Sequence, residues 1–267
     1  MKKSLVLLVA IVTLNQSLSA QETTIPKLRL GIETGADVFF GKTDKPAMIR
    51  ETRSSSYYYN NHDYYSSVYD FQDVSFFHFG IKPEYTFSKR FTVAAGLRFS
   101  FSASTIESDR DYFFWKVNET ETTTNYLRIN EINQTNYYLG IPMEIRYFLH
   151  RKKYFGFILG TSYNFLLAST DDVRFVNADM KKYASNVKEN LEKPDFFQGC
   201  VYAGFGVNAG RAHHPHVSFE FYFPTIMYGR KGKTNSFTKT EGGVSAGFGM
   251  RVALQIPFFF KEQSVIN

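Results

Sequence analysis

Residues 135–149, TNYYLGIPMEIRYFL, alternate strictly between two kinds of side chain. Tyr137, Leu139, Ile141, Met143, Ile145 and Tyr147 fall on one face; Tyr138, Gly140, Pro142, Glu144 and Arg146 fall on the other. Successive side chains of a strand point to opposite faces, so this pattern predicts a strand with one apolar and one polar surface. Seven further segments repeat it: 28–40, 75–87, 91–103, 154–167, 196–209, 216–228 and 242–260. In 28–40, Leu28, Leu30, Ile32, Ala36, Val38 and Phe40 oppose Arg29, Gly31, Glu33, Gly35 and Asp37. In 91–103, Phe91, Val93, Ala95, Leu97, Phe99 and Phe101 oppose Thr92, Ala94, Gly96, Arg98, Ser100 and Ser102.

The connections alternate in length. Segments 88–90, 150–153 and 210–215 are short; 41–74, 104–134, 168–195 and the lesser 229–241 lie on the other side. Loops this long are uncommon in compact domains, but bacterial outer-membrane barrels alternate short periplasmic turns with long extracellular loops. The expected fold is therefore all-β: an eight-stranded antiparallel up-and-down transmembrane β-barrel. A lipocalin-like soluble barrel has the same strand count but points its apolar face inward. Eight strands enclose a space only just wide enough for side chains, and the apolar face here is far too bulky to fit. That face is expected to meet lipid.

The polar face then becomes the lumen. It carries Arg29, Lys82, Arg98, Arg146 and Arg251 against Glu33, Asp37, Glu84, Glu144 and Glu220. Five cations facing five anions predict a network of ion pairs that plugs the barrel, since unpaired buried charge is costly. Ile158 on the lumen side and Gly199 on the lipid side break the pattern.

Composition sharpens this picture. The chain has 28 Phe and 18 Tyr but one Trp, a load suited to strands and membrane interfaces. Tyr85, Phe87, Phe91, Tyr147, Phe155 and Phe258 fall toward the short turns, and Phe40, Phe101, Tyr137 and Tyr163 toward the long loops, as two aromatic girdles require. Lys2 and Lys3, the apolar run Leu5–Leu14 and the small Leu18-Ser19-Ala20 site read as a secretory signal peptide over 1–20. Residues 21–267 then form one outer-membrane barrel domain. Cys200 is the single cysteine, so no intrachain disulfide is possible. The net charge is +6, of which Lys2 and Lys3 supply two, and no basic-aromatic motif points to nucleic acid.

One stretch has a family likeness. Tyr138-Leu139-Gly140-Ile141-Pro142-Met143-Glu144-Ile145-Arg146-Tyr147-Phe148 resembles the x-I-P-L-x-x-K-Y-x-F strand of the PorT-like outer-membrane β-barrel family of Bacteroidetes. Gly156-Phe157-Ile158-Leu159-Gly160 resembles the glycine-rich strand that follows it. The resemblance implies an outer-membrane protein without enzymatic activity, and in a few members a part in protein secretion. Barrels of this kind commonly end in an aromatic residue read by the assembly machinery, whereas here Phe258-Phe259-Phe260 is followed by Lys261–Asn267.

Candidate chemistry is sparse. The first long loop holds Tyr57, Tyr58, Tyr59, Tyr64 and Tyr65 among Asn60, Asn61, His62 and Asp63. Tyrosine joins an apolar ring to a polar tip, which suits adaptable recognition of a surface glycan or envelope protein. His62-Asp63 admits a second reading, a loop-site hydrolase or acyltransferase, but no nucleophile signature accompanies it. His213-His214-Pro215-His216 has a metal-binding composition, yet adjacent histidines in a turn converge poorly and read as a polar turn. Lys89-Arg90 and Arg151-Lys152-Lys153 read as contacts to lipid headgroups. No catalytic residue, metal or cofactor is expected. The expected partners are outer-membrane lipid, the barrel-assembly machinery and a glycan or envelope protein bound at the loops. The expected role is non-enzymatic, structural or in surface recognition and docking, with an accessory place in a secretion system as the narrower alternative.

Overall fold

The computed structural model describes residues 27–43, 46–50, 68–70, 73–108, 112–118, 124–150, 153–210, 214–239 and 243–258. Residues 1–20, expected to be a signal peptide, and Tyr57–Tyr65 lie outside them. Eight long strands dominate: β1 (Leu28–Phe40), β2 (Asp73–Thr86), β3 (Phe91–Ala95 continued by Leu97–Ser108), β4 (Thr124–Phe148), β5 (Phe155–Phe175), β6 (Phe197–Ala209), β7 (His216–Gly229) and β8 (Val244–Phe258). Each pairs antiparallel with the next, and β8 pairs back onto β1 from Leu28–Phe258 to Phe39–Gly247. The ring is closed, which removes the unpaired edges that lipid cannot satisfy.

Register fixes its width. Pairings followed once round from Arg29 run through Glu84, Ala94, Glu144, Gly160, Tyr202, Thr225 and Gly247 and return at Phe39. This stagger of about ten residues over eight strands tilts them by ~40° and gives a radius of ~8 Å to the backbone. Only side chains fit inside.

The faces divide as the alternation requires. Leu159, Phe79, Met143, Ile145 and Phe157 are each about half exposed on the outside, while Arg29, Lys82, Glu144 and Arg251 are buried within. Aromatic pairs ring both ends, with Phe91–Tyr147 (4.9 Å) and Phe155–Phe205 (5.9 Å) near the short turns, and Tyr163–Phe197 (6.2 Å) toward the other end. Phe91 and Phe101 are ten positions apart on β3, which at this tilt is a height of ~25 Å, the span of an outer-membrane apolar band. Gly199, the glycine on the lipid face, pairs with Tyr228. A Cβ on Gly199 would meet the Tyr228 ring at 2.1 Å, so the tyrosine fills the gap that the glycine leaves.

The long connections depart from the sequence reading. Segment 104–134 is largely strand: β3 runs to Ser108, Phe113–Asn118 forms a further strand, and β4 already begins at Thr124. Segment 168–195 carries β5 on to Phe175, then a 3-10 turn (Ala178–Tyr183) and helix α1 (Ala184–Glu189). Above the membrane the outer face meets water, so the apolar residues turn inward. Ile106, Phe113, Trp115, Leu127, Ile129 and Ile132 pack with Val187, Leu191 and Phe237 into a second core. The barrel wall thus continues into a folded head.

Candidate functional site

The lumen is the first candidate site. Glu33 on β1 meets Lys82 Nζ of β2 at 2.9 Å, Arg98 Nη2 of β3 at 2.8 Å and Arg251 Nη1 of β8 at 3.0 Å. Glu144 on β4 meets Lys82 at 2.8 Å, Arg146 at 2.7 Å and Arg251 at 2.6 Å, and accepts a hydrogen bond from the Tyr202 hydroxyl at 2.9 Å. Arg146 reaches Glu84 at 2.9 Å and Glu220 at 2.8 Å. Arg251 also donates to Glu220 from Nε at 2.7 Å and stands over the Tyr222 ring at 4.8 Å. Arg251 therefore bridges three carboxylates, and Glu144 gathers three cations. Strands β5 and β6 contribute no charge to this layer; they present Gly160, Gly204 and Gly206 instead, and Cβ atoms at Gly160 and Gly204 would meet the Tyr202 ring and the Phe221 carbonyl within 2.5 Å.

Arg29 and Asp37 lie outside this cluster. Arg29 sits toward the short turns, where no hydrogen-bond partner within the described residues meets its Nε and Nη2. Asp37 pairs with His78 Nδ1 at 3.4 Å. Around Asp37, His78, Cys200 and Met227 the lumen keeps voids of only about 10 and 20 Å³, about one water each.

Three more layers close the lumen, and none of them followed from the charge pattern. At the short-turn mouth Lys153 enters the barrel and donates to Thr86 Oγ1 at 2.9 Å and Thr92 Oγ1 at 3.2 Å. Its backbone is left-handed, with φ 57°, which turns the side chain inward. The reading of Lys153 as a headgroup contact is corrected accordingly. Burial pushes its ammonium down to about 7; Arg29 adds to the effect and Glu84 opposes it. His216 likewise leaves the polar turn and is buried as the first residue of β7. Above the charges, Phe39 meets Phe76 edge to face at 5.8 Å and Phe76 meets Tyr138 at a tilt at 5.6 Å, beside Ile158 and Met227.

The last layer is the segment after β7. Thr234, Asn235, Ser236 and Phe237 are buried across the outer mouth. Gln134 Nε2 donates to Ser236 Oγ at 2.6 Å, and the Ser236 N–H donates to Gln134 Oε1 at 2.9 Å. Asp195 accepts from the Lys231 N–H at 3.0 Å and the Lys233 N–H at 3.3 Å, and Lys233 Nζ meets Glu192 at 2.8 Å. A loop expected to extend outward instead folds in. Its signal in the sequence was the run Thr234-Asn235-Ser236, small polar groups able to satisfy a buried backbone.

The second candidate site is the head's surface. Tyr57, Tyr58, Tyr59, Tyr64 and Tyr65, together with His62 and Asp63, lie outside the described residues. Lys181, Lys182 and Lys188 are exposed on the 3-10 turn and α1. Among the described residues no group of three or more His, Cys, Asp or Glu side chains is placed to hold a metal.

No protein-family model matches the chain, and no curated protein matches its sequence. Solved structures similar to it include Ail, the attachment invasion locus protein of Yersinia pestis, at 12% identity and TM-score 0.31, covering 86% of this chain and 98% of that one. The outer membrane protein OprG from Pseudomonas aeruginosa matches at 10% identity and TM-score 0.36, covering 87% and 98%. The outer membrane protease OmpT from Escherichia coli matches at 11% identity and TM-score 0.31, covering 90% and 99%. At these scores the fold assignment rests on the strand pairing above. The expectation of a protein without enzymatic activity is corrected nonetheless: a protease stands among these barrels, so the architecture does not carry that expectation, and it is withdrawn. A closed antiparallel ring with an apolar exterior ~25 Å tall and a polar interior packed with side chains is a barrel of the bacterial outer-membrane kind.

Proposed function

We propose that this protein is a closed outer-membrane barrel whose role is to hold a folded head at the cell surface for recognition or docking. One observation carries the reading: the lumen is blocked at four successive levels, while β3, β4 and β5 run on past the membrane into a head with its own core. A barrel built to conduct would spend neither its lumen nor its strands this way. We also propose kinship with the PorT-like family. The motif supports it, because Gly140, Pro142, Glu144 and Arg146 line the charged lumen, and the Pro142 carbonyl accepts from Gly96 at the break in β3 (3.1 Å).

The test is a pull-down from native membranes with three forms of the full chain. These are the wild type, a variant with Tyr57–Tyr65 replaced by Ser and Gly, and a variant with Lys181, Lys182 and Lys188 changed to Glu. A partner lost in either variant, with heat-dependent gel mobility retained, supports recognition by the head. The same partners recovered from all three would overturn it. A co-purifying secretion complex would narrow the role to docking, and a bound glycan to surface recognition.

A further inference from the structure

On the outer wall near the short turns, the belt of bulky side chains is interrupted. Pro83 on β2, Ala95 on β3 and Thr161 on β5 are small, and they lie close together round the ring, with Met143 paired to both Ala95 and Thr161 and Val201 paired to Thr161. Thr161 donates its hydroxyl to the Cys200 carbonyl at 2.9 Å, so its polar atom is satisfied within the wall. Leu28, Tyr85, Val93, Ile145 and Leu159 flank these positions and complete an open apolar groove of about 790 Å³, the size of a small-molecule site.

Charge lies beyond the groove's short-turn rim. Two residues along from the Val93–Ile145 pair, ~7 Å at strand rise, Phe91 and Tyr147 pack at 4.9 Å. There Arg90 donates from Nη1 to the Tyr147 hydroxyl at 3.2 Å, and Lys89 is exposed beside it. An apolar trough with two cations and a phenol one strand step past its rim complements a molecule with hydrocarbon chains and a phosphate. A second copy of the chain would cover the trough but bring the same cations against Lys89 and Arg90.

We propose that this groove holds one glycerophospholipid, its acyl chains over Pro83, Ala95 and Thr161 and its phosphate against Arg90 and Lys89. The inference rests on the barrel spanning a membrane, and the experiment separates the two. Protein extracted in mild detergent is weighed intact by native mass spectrometry, after its heat-dependent gel shift has been recorded. The wild type should retain about one phospholipid per barrel. Arg90→Glu with Lys89→Glu should lower the retained fraction about tenfold or more, since each basic residue near an anionic surface is worth about fivefold. Ala95→Phe with Thr161→Phe should remove the lipid with the turn intact, and Arg90→Lys should keep it. A gel shift with no retained lipid, equal retention in the filled-groove variant, or a dimer with an empty groove would each overturn the inference. Loss of the gel shift in the wild type would instead overturn the membrane reading.

Discussion

Replacing Arg251 with Met tests whether the lumen charges act as one unit. Arg251 is shared by Glu33, Glu144 and Glu220. The inner cluster sets Lys82, Arg98, Arg146 and Arg251 against Glu33, Glu84, Glu144 and Glu220, so the substitution leaves one negative charge in excess where no solvent reaches. Removing one partner from a buried ion pair costs about 3–5 kcal/mol, and Arg251→Met should fall in that range. Glu144→Leu alone should cost a similar amount, because it takes one carboxylate from each of Lys82, Arg146 and Arg251 and leaves the cluster one positive charge in excess. The double variant restores the balance: Glu33 keeps Lys82 and Arg98, and Glu220 keeps Arg146. It should be less destabilised than the sum of the two by about 1.5–3 kcal/mol. Equilibrium urea unfolding in lipid vesicles, read by the shift between folded and unfolded bands on an unheated gel, measures all three. A loss below ~0.5 kcal/mol for Arg251→Met, or strict additivity in the double variant, would show that the charges are solvated and that the plug is not what closes this barrel.

The wild type in planar bilayers should show no steady conductance, because charge, apolar and loop layers block the same axis; large stable openings would refute the closure. Phe237→Ala should cost about 3–5 kcal/mol in the head and red-shift the emission of Trp115, the single tryptophan, with the barrel's gel shift unchanged; simultaneous loss of both signals would join head and barrel into one cooperative unit. Lys153 titrates near pH 7 when folded against 10.5 as a free side chain. Between those values the unfolded chain binds the extra proton, so stability should rise with pH there, and Lys153→Met should flatten that rise in urea midpoints measured from pH 6 to 10.5. A membrane-impermeant amine reagent on intact cells should label Lys181, Lys182 or Lys188 and spare Lys89; the reverse pattern would invert the topology.

Strand β1 was legible to the residue, 28–40 both expected and observed, because lipid outside and charge inside enforce a period of two with strong contrast. The same cue failed above the membrane. In 124–134 the apolar residues are Leu127, Ile129 and Ile132, and the change of spacing between Ile129 and Ile132 breaks the alternation. With water on the outer face, Tyr126, Arg128 and Asn130 read as loop. The charged lumen residues could be named from their face alone, but their partners could not. Glu33 meets Arg251, more than two hundred positions away, only because the ring closes. Lys153 and Phe237 were invisible for another reason: one is placed by a left-handed turn and the other by an in-folded loop, and neither leaves a periodic trace.

The passage of β3, β4 and β5 from membrane to head as continuous strands, bulged in the β4–β5 ladder at Leu166/Ala168 and Arg174/Phe175, has a mechanical meaning. A domain joined by a linker can pivot; one that shares three hydrogen-bonded strands with its base cannot bend without shearing the ladder between them. Beyond Tyr137, β4 continues to Thr124, ~40 Å of chain at strand rise, as a stiff mast. Its azimuth and tilt are set by the barrel, and the barrel's are set by the aromatic girdles in the bilayer. Whatever engages the head is therefore met at a fixed angle to the cell surface, and force applied there passes straight into the membrane wall.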